Sequence, residues 1–166
     1  MPVTINGNGT ISGLTQVSAS AQPSCLLGNL VNEVMTDADN DDPIEFHNIV
    51  TNVGMTINSA KSRITVPQNG TYLVTACVSG DKLTTDPIDA NDGIFFILLK
   101  NGSTFSNDTD TFPFDVFGAT AGQEFSFVFS IPVPLVTDDY LEVALNNINN
   151  SSGEVKNGYF SVTRLH

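Results

Sequence analysis

Residues 64–79 (ITVPQNGTYLVTACVS) carry the clearest hydrophobic pattern in the chain, with apolar side chains recurring at every second position after a turn. Period two is that of a β-strand, whose successive side chains point to opposite faces. Pro67 and Asn69-Gly70 predict a tight hairpin reversal with positive φ. The two faces are Tyr72, Val74, Ala76 and Val78 on one side and Leu73, Thr75 and Cys77 on the other. Because neither face is strongly polar, we expect a central strand covered on both sides, in a two-sheet sandwich that also packs against copies of itself.

Other short extended runs follow along the chain, separated by turn signals. Residues 94–100 (IFFILLK) are continuously apolar and residues 124–133 (EFSFVFSIPV) alternate strictly, which predicts two buried strands. Asn101-Gly102 and Thr137-Asp138-Asp139 predict turns. Further strands are predicted at 26–35, 44–49, 53–57, 140–146 and 159–165. Since no stretch shows the 3.6-residue apolar period of a helix, we expect an all-β chain, either a sandwich or a jelly roll.

The charge balance is strongly acidic, with 18 Asp and Glu residues against 6 Lys and Arg residues and a net charge of −12. Without a basic patch to displace counterions from phosphates, no nucleic-acid partner is expected. The same charge disfavours anionic membranes, and no apolar stretch is long enough to span a bilayer. The first residues lack the basic and apolar regions of a signal peptide. We therefore expect a cytosolic protein or one exported as part of a larger particle.

Residues 1–24 differ from the rest of the chain in being rich in Gly, Asn, Ser and Thr. Their few apolar residues flank a Gly-Asn-Gly turn, which predicts a small hairpin. These apolar residues are Val3, Ile5, Ile11 and Leu14. Because an isolated hairpin is marginal in water, the segment is either a mobile tail or an arm that becomes ordered on another surface. We expect an extended arm at 1–24 and one folded domain at 25–166.

Motifs that would carry chemistry are missing from the sequence, including a P-loop, a serine-hydrolase elbow, HExxH and CxxC. His47 and His166 have no evident partner for a metal site or a nucleophile. The acidic stretch 37–42 (DADNDD) has the opening spacing of a calcium loop, but it lacks the glycine at position six and, at Asn48, the glutamate at position twelve. A surface acidic loop is favoured over a calcium site. We expect no enzyme activity, no cofactor and no metal site.

Cys25 and Cys77 are the two cysteines of the chain, too few for a disulfide framework. They would pair if the packing of the strands brought them together. Two buried free thiols are the preferred interpretation, because free cysteine behaves as a small apolar residue.

Four motifs, in this order, resemble the globular head of the complement-component and tumour-necrosis-factor superfamily. They are Ile44-x-Phe46 with Asn52-x-Gly54, Ile64-Thr65-Val66-Pro67 with Gly70-x-Tyr72, Leu135 to Val143, and Gly158 to Leu165. Two positions depart from the family pattern, since Asp138 and Ser161 each stand where the family has glycine. The resemblance implies a two-sheet jelly-roll sandwich.

The same resemblance implies a homotrimer with the inner sheet on the threefold axis. By their positions in the family's strands, Thr75, Val128 and Tyr159 would face this axis. The alternative for each residue is a place in the core of its own subunit. The collagen-like stalk of many animal members is missing, because the sequence has no Gly-X-Y run.

Residues 4–13 (TINGNGTISG) resemble the openings of virion structural proteins of tailed bacteriophages, including fibre proteins. An arm joined to a trimeric jelly roll implies a capsid decoration or cement protein on the capsid surface. Its arm would dock on the major capsid protein or on neighbouring virion proteins through Val3, Ile5, Ile11 and Leu14.

Three alternatives remain at this point. The first is the receptor-binding tip of a tail or head fibre, which would use the loops at 80–93 and 101–121. The second is a bacterial secreted or spore-surface module of the same fold. The third is a generic flexible N-terminus that has no docking role.

Overall fold

The computed structural model describes residues 4–5, 11–12, 21–30, 33–35, 43–82, 93–105, 124–148 and 153–166. These residues contain thirteen β-strands and no helix. The strands are β1 (Thr4–Ile5), β2 (Ile11–Ser12), β3 (Ser24–Leu30), β4 (Glu33–Met35), β5 (Phe46–Val53), β6 (Thr56–Ile57), β7 (Arg63–Thr65), β8 (Gly70–Lys82), β9 (Gly93–Lys100), β10 (Ser103–Thr104), β11 (Glu124–Leu135), β12 (Tyr140–Ile148) and β13 (Gly153–Arg164). Within these described ranges, no helix is available to cross a membrane.

The body is built from two antiparallel sheets that enclose one core. The first sheet has six strands, in the order β11-β8-β13-β3-β5 with β4 beside β13. The second sheet has five strands, in the order β10-β9-β12-β7-β6. This architecture is the all-β, two-sheet jelly-roll sandwich that the sequence predicts.

The arm contains a separate two-stranded sheet, in which β1 and β2 pair and Ile5 lies opposite Ile11. This pairing is the small hairpin predicted for the arm, while Val3 and Leu14 lie outside the described residues. β3 begins at Ser24, so the last residue assigned to the arm already pairs within the six-stranded sheet. The division into arm and body otherwise stays a prediction.

The core lies between the sheets and is rich in aromatic rings. Phe96 of β9 packs against Phe127 and Phe129 of β11, with ring centroids 6.0 Å and 5.3 Å apart. The predicted apolar face of β11 is confirmed, because Phe125, Phe127 and Phe129 are all less than 8% exposed. The predicted burial of β9 is confirmed over residues 96–99. Alternation and continuous apolarity therefore identified the strands that supply the core.

The hairpin predicted at residues 64–79 is wrong. β7 pairs with β6 and β12 in the five-stranded sheet, whereas β8 pairs with β11 and β13 in the six-stranded sheet. The segment 67–69 therefore crosses from one sheet to the other. Because of this crossing, Ile64 in one sheet and Tyr72 in the other are both buried in the core between the sheets. The Tyr72 hydroxyl closes this crossing by donating a hydrogen bond to the carbonyl oxygen of Gln68 at 2.7 Å.

The expected positive φ at Asn69-Gly70 is also wrong, since neither residue is among the left-handed positions of the described chain. Gly70 is needed for space instead. A Cβ atom there would lie 2.4 Å from the carbonyl oxygen of His166 and 2.7 Å from Nε of Arg164. The backbone that follows β13 and the side chain of Arg164 therefore approach too closely for any side chain at this position.

The strands predicted at 44–49 and 53–57 are divided differently. β5 runs through Phe46–Val53 at the edge of the six-stranded sheet, and only Phe46 is buried in it. The chain then crosses to β6 through a turn in which Gly54 has a φ of 72°. The Asn52 side chain holds this turn with two 3.0 Å hydrogen bonds to the backbone of Met55. The run predicted at 26–35 is likewise divided, into β3 and β4.

The two other predicted turns are confirmed. Asn101 and Gly102 have φ values of 53° and 76° and connect β9 to β10. Asp138 has a φ of 69° in the turn before β12, at the position where the family pattern has glycine. Its left-handed backbone explains why glycine suits this position.

We expect Asp138→Gly to raise the free energy of unfolding by about 0.5 kcal/mol. Glycine removes the steric strain of the left-handed backbone, and this gain slightly exceeds the destabilisation caused by the higher conformational entropy of the unfolded chain. Urea denaturation monitored by circular dichroism measures this change. Val136→Gly is the control in the same turn, where φ is not left-handed, and it is expected to be destabilising. A loss of stability in Asp138→Gly would show that the aspartate is not strained.

Candidate functional site

The three residues predicted to face a threefold axis lie on one surface, the side of the six-stranded sheet that faces away from the core (the outer face). The register places Val128, Cys77 and Tyr159 in one row across β11, β8 and β13. Ser130, Thr75 and Ser161 form the next row. Val128 is 54% exposed and Tyr159 is 39% exposed. Their contact with a symmetry axis stays a prediction.

Exposed apolar side chains are concentrated on this sheet. Eight large hydrophobic residues are exposed in the described chain, and seven of them belong to β5, β8, β11 or β13 or directly follow β13. These seven are Ile49, Val50, Val53, Leu73, Val128, Tyr159 and Leu165. The eighth, Val136, lies in the turn after β11. The six-stranded sheet thus leaves an apolar surface in contact with solvent.

The outward-facing residues of the five-stranded sheet are different in character. Ile97, Leu99 and Ala144 form a small apolar cluster there and are at most 6% exposed. Glu142 is 3% exposed and accepts a hydrogen bond from Nε of Arg63 at 3.0 Å. That side therefore offers no exposed apolar patch among the described residues, and it carries an ion pair between a buried carboxylate and the Arg63 side chain, which is 39% exposed.

The middle of the outer face carries no formal charge. From the level of Leu73 to the level of Cys77, its described residues on β8, β11 and β13 are apolar, hydroxyl or thiol side chains. The hydroxyl groups of Thr75 and Ser130 satisfy one another at 2.8 Å, and either can be the donor. Removing this surface from water, when another apolar surface covers it, therefore costs little free energy.

Charged side chains lie in a row across one end of this face, at the ends of three strands. Glu124, Asp81 and Glu154 lie side by side across β11, β8 and β13. Lys156 occupies a β-bulge in β13, forms an ion pair with Asp81 and lies 3.7 Å from Glu154. The hydrogen bond with Asp81 raises the pKa of Lys156 above its ordinary value. The bulge thus places one cation in a row of like charges that would otherwise repel each other.

A shallow apolar depression of about 540 Å³ opens beside Tyr159. It is lined by Leu26, Gly28, Val50, Thr75, Gly158, Tyr159 and Ser161. Gly28 leaves room for the Val50 side chain in the wall of this depression, since a Cβ atom at residue 28 would lie 2.9 Å from Cγ2 of Val50. The sequence interpretation missed Val50, because a register shift opposite Leu26 and Leu27 determines the face on which it lies. An alternation pattern does not reveal such a shift.

The two cysteines are free thiols on opposite faces of the six-stranded sheet. Cys25 is 1% exposed in the core, and burial raises its pKa to about 11. Cys77 stands between Val128 and Tyr159 on the outer face and is only half-buried. The preferred interpretation of two buried thiols therefore holds for Cys25 but not for Cys77.

Groups suited to catalysis or metal binding do not come together in the part of the chain that the structure describes. No set of three or more His, Cys, Asp or Glu side chains there is arranged to hold a metal ion. His47 and His166 are both exposed. The acidic stretch 37–42 lies outside the described residues.

Comparison with known proteins gives similarities in structure only. No protein-family model and no curated protein matches the sequence. The TNF protein Eiger of S. frugiperda superposes with a TM-score of 0.59 and 11% identity, over 87% of this chain and 94% of that chain. The globular domain of the zebrafish complement 1qA protein superposes with a TM-score of 0.56 and 10% identity, over 87% and 98% of the two chains.

These similarities agree with the fold that the four sequence motifs implied, although the identities are too low to carry function. The resemblance of residues 4–13 to virion proteins gains no support from them. The chain has the jelly-roll fold of tumour-necrosis-factor-like and complement globular domains.

Proposed function

We propose that this chain is a non-enzymatic structural protein that assembles into a homotrimer through the outer face. The observation that carries this proposal is that the six-stranded sheet holds or adjoins seven of the eight exposed large hydrophobic residues of the described chain, with Val128 and Tyr159 on the outer face. Contiguous apolar surface of this kind marks sites of protein association. Three copies is the number that the resemblance to the tumour-necrosis-factor superfamily implies.

Electrostatics favours a second copy of the chain as the partner of this face. Each chain carries a net charge of −12, so two copies repel each other over most of their surface. The middle of the outer face is free of formal charge, which makes it the region where copies approach at the lowest electrostatic cost. Thr75, Val128 and Tyr159 would then become buried between subunits.

We further propose that the trimer is a decoration protein of a tailed-bacteriophage capsid, with the arm docked on the major capsid protein. The resemblance of residues 4–13 and the hairpin of β1 and β2 support this role. The root of the arm is held firmly on the body. Arg164 donates its backbone N–H to the carbonyl oxygen of Pro23 at 2.9 Å and donates from its guanidinium to Gln22 at 3.2 Å. Three such arms on one trimer would bind by avidity.

Deletion of residues 1–20 is expected to leave a folded trimer that no longer binds capsids, because the body keeps its assembly face and loses its docking segment. Sedimentation velocity measures the mass, and co-sedimentation with capsids that lack the protein measures binding. Ile5→Ser combined with Ile11→Ser should have the same effect, since these residues lie opposite each other in the hairpin. The exchange Thr4→Ser with Ser12→Thr, at the neighbouring pair, is the control that should still bind.

Normal capsid binding by the shortened chain would overturn the role of the arm. Binding of the full-length trimer to host cells but not to capsids would overturn the decoration role and favour a receptor-binding tip. A monomeric full-length protein would overturn the homotrimer.

A further inference from the structure

The two ends of the six-stranded sheet differ in chemical character. At one end (the arm end), β3 and β8 begin and β5, β11 and β13 finish, beside Pro23 at the root of the arm. At the opposite end (the far end), Glu124, Asp81 and Glu154 lie in a row, with Lys156 as the cation among them. Any partner that covered the far end would have to desolvate these charges.

Exposed apolar side chains collect at the arm end. Val136 directly follows β11 and is 57% exposed, and Leu165 directly follows β13 and is 48% exposed. Val53, the last residue of β5, and Leu73, near the start of β8, are also exposed. Half of the eight exposed large hydrophobic residues of the described chain therefore lie at this end.

Hydrogen bonds join this end of the body to the root of the arm. The carbonyl oxygen of Asn69 accepts hydrogen bonds from Nε and Nη2 of Arg164 at 3.2 Å and 3.0 Å. Oδ1 of Asn69 accepts hydrogen bonds from the backbone N–H and the hydroxyl of Thr137 at 2.8 Å and 3.1 Å. Arg164 also donates to Oε1 of Gln22. The turn after β11, the end of β13 and the root of the arm are thus one connected surface.

The length of the arm limits where its partner can lie. Ten residue steps separate Ile11 of the hairpin from Ala21 at the root, which is at most about 36 Å of fully extended chain. β8 (Gly70–Lys82) runs from the arm end to the far end and spans about 40 Å. A surface that holds the hairpin therefore cannot lie over the far end. It lies against the arm end or beside it.

We propose that the arm end is a second docking contact, in which Val136 and Leu165 lie on the same capsid surface as the arm. This inference rests on the proposed decoration role and names the part of the body that faces the capsid. Residues 1–32 contain no Asp, Glu, Lys or Arg, so the side chains of the arm make no ion pairs with the partner. The surface beneath the arm and the arm end is accordingly an uncharged, partly apolar protein surface. Three such contacts on one trimer add to the avidity of the arms.

Val136→Glu tests this contact, with Leu165→Glu as a second variant. Each substitution places a carboxylate against an apolar surface in all three contacts of a trimer, so capsid binding is expected to weaken at least tenfold. Co-sedimentation with capsids that lack the protein, over a series of protein concentrations, measures binding. Sedimentation velocity and circular dichroism show that each variant is a folded trimer.

Ile49→Glu is the matched control. It adds the same charge in place of an apolar side chain that is 45% exposed, but Ile49 lies opposite Leu27 in the middle of β3, away from the arm end. This variant should bind capsids as the unchanged protein does. An equal loss of binding in Ile49→Glu would show a general effect of charge and would overturn the inference.

The remaining outcomes separate this contact from the decoration role. If the trimers of Val136→Glu and Leu165→Glu bind normally while the chain without residues 1–20 does not, the docking contact is overturned and the decoration role stands. If the unchanged trimer does not bind capsids, both proposals are overturned. Hexamers of the unchanged protein that Val136→Glu reduces to trimers would assign the arm end to a second trimer and would also overturn the inference.

Discussion

Val128→Glu is expected to convert the trimer into monomers. Val128 stands in the uncharged middle of the outer face, in one row with Cys77 and Tyr159. A glutamate there would bring one additional carboxylate per subunit into a closing apolar contact, with no cation in the same row. Burying an unpaired carboxylate costs several kcal/mol, which is enough to dissociate the assembly at micromolar concentration. Sedimentation velocity at several protein concentrations measures this effect.

Val136→Glu is the matched control for this substitution. Val136 is 57% exposed, almost the same fraction as Val128 at 54%, but it lies in the turn after β11 and not on the face. The control should retain the mass of the unchanged protein. Circular dichroism should show that both variants are folded. A Val128→Glu variant that remains a trimer, or a Val136→Glu variant that dissociates, would contradict the proposed assembly face.

Asp139→Ala is expected to lower the free energy of unfolding by about 3 kcal/mol, because it leaves several polar groups without their acceptor. Asp139 is 7% exposed. Its carboxylate accepts hydrogen bonds from Nδ2 of Asn101 at 2.7 Å and from the backbone N–H of Val136 at 2.9 Å, and Nζ of Lys100 lies 2.9 Å away. Asn101 in turn accepts a hydrogen bond from the N–H of Tyr140 at 2.9 Å. One carboxylate therefore connects the turn after β9 to the turn before β12.

The same carboxylate should make stability depend on pH. Burial raises its pKa, but the hydrogen bonds from Asn101 and Val136 and the nearby Lys100 ammonium outweigh burial and lower the pKa below its ordinary value. Since the folded state then binds this proton less readily than the unfolded state, the stabilisation is present above pH ~4 and is lost as the pH falls through the folded pKa. Urea denaturation at a series of pH values measures the free energy of unfolding. The difference in this free energy between the native protein and Asp139→Asn should become smaller below pH ~4.

Asp138→Asn is the control for this pair of measurements. Asp138 is the exposed neighbour of Asp139, and asparagine also tolerates its left-handed backbone. We expect the free energy of unfolding to change by no more than about 0.5 kcal/mol. The difference in the free energy of unfolding between the native protein and Asp139→Asn could also stay constant from pH 7 to pH 3. That result would show that the charge of the carboxylate makes no net contribution to stability.

The sequence by itself determined the buried faces of two core strands and where several turns occur. The alternation at 124–133 identified the core face of β11, and the continuous run at 94–100 identified β9. Asn101-Gly102 and the departure at Asp138 indicated backbone conformations that the structure contains. These are local properties, because burial of a strand face and the φ of a turn residue depend on the chain within a few positions.

Only the tertiary structure decided which strands are neighbours. The pattern at 64–79 is the same whether its two halves pair in one sheet or face each other across the core, so the predicted hairpin was wrong. The meeting of Thr75, Val128 and Tyr159 on one face, and the depression at Val50, likewise depend on register between strands distant in sequence. Strand pairing is a property of two segments together, whereas hydrophobic period is a property of each segment alone.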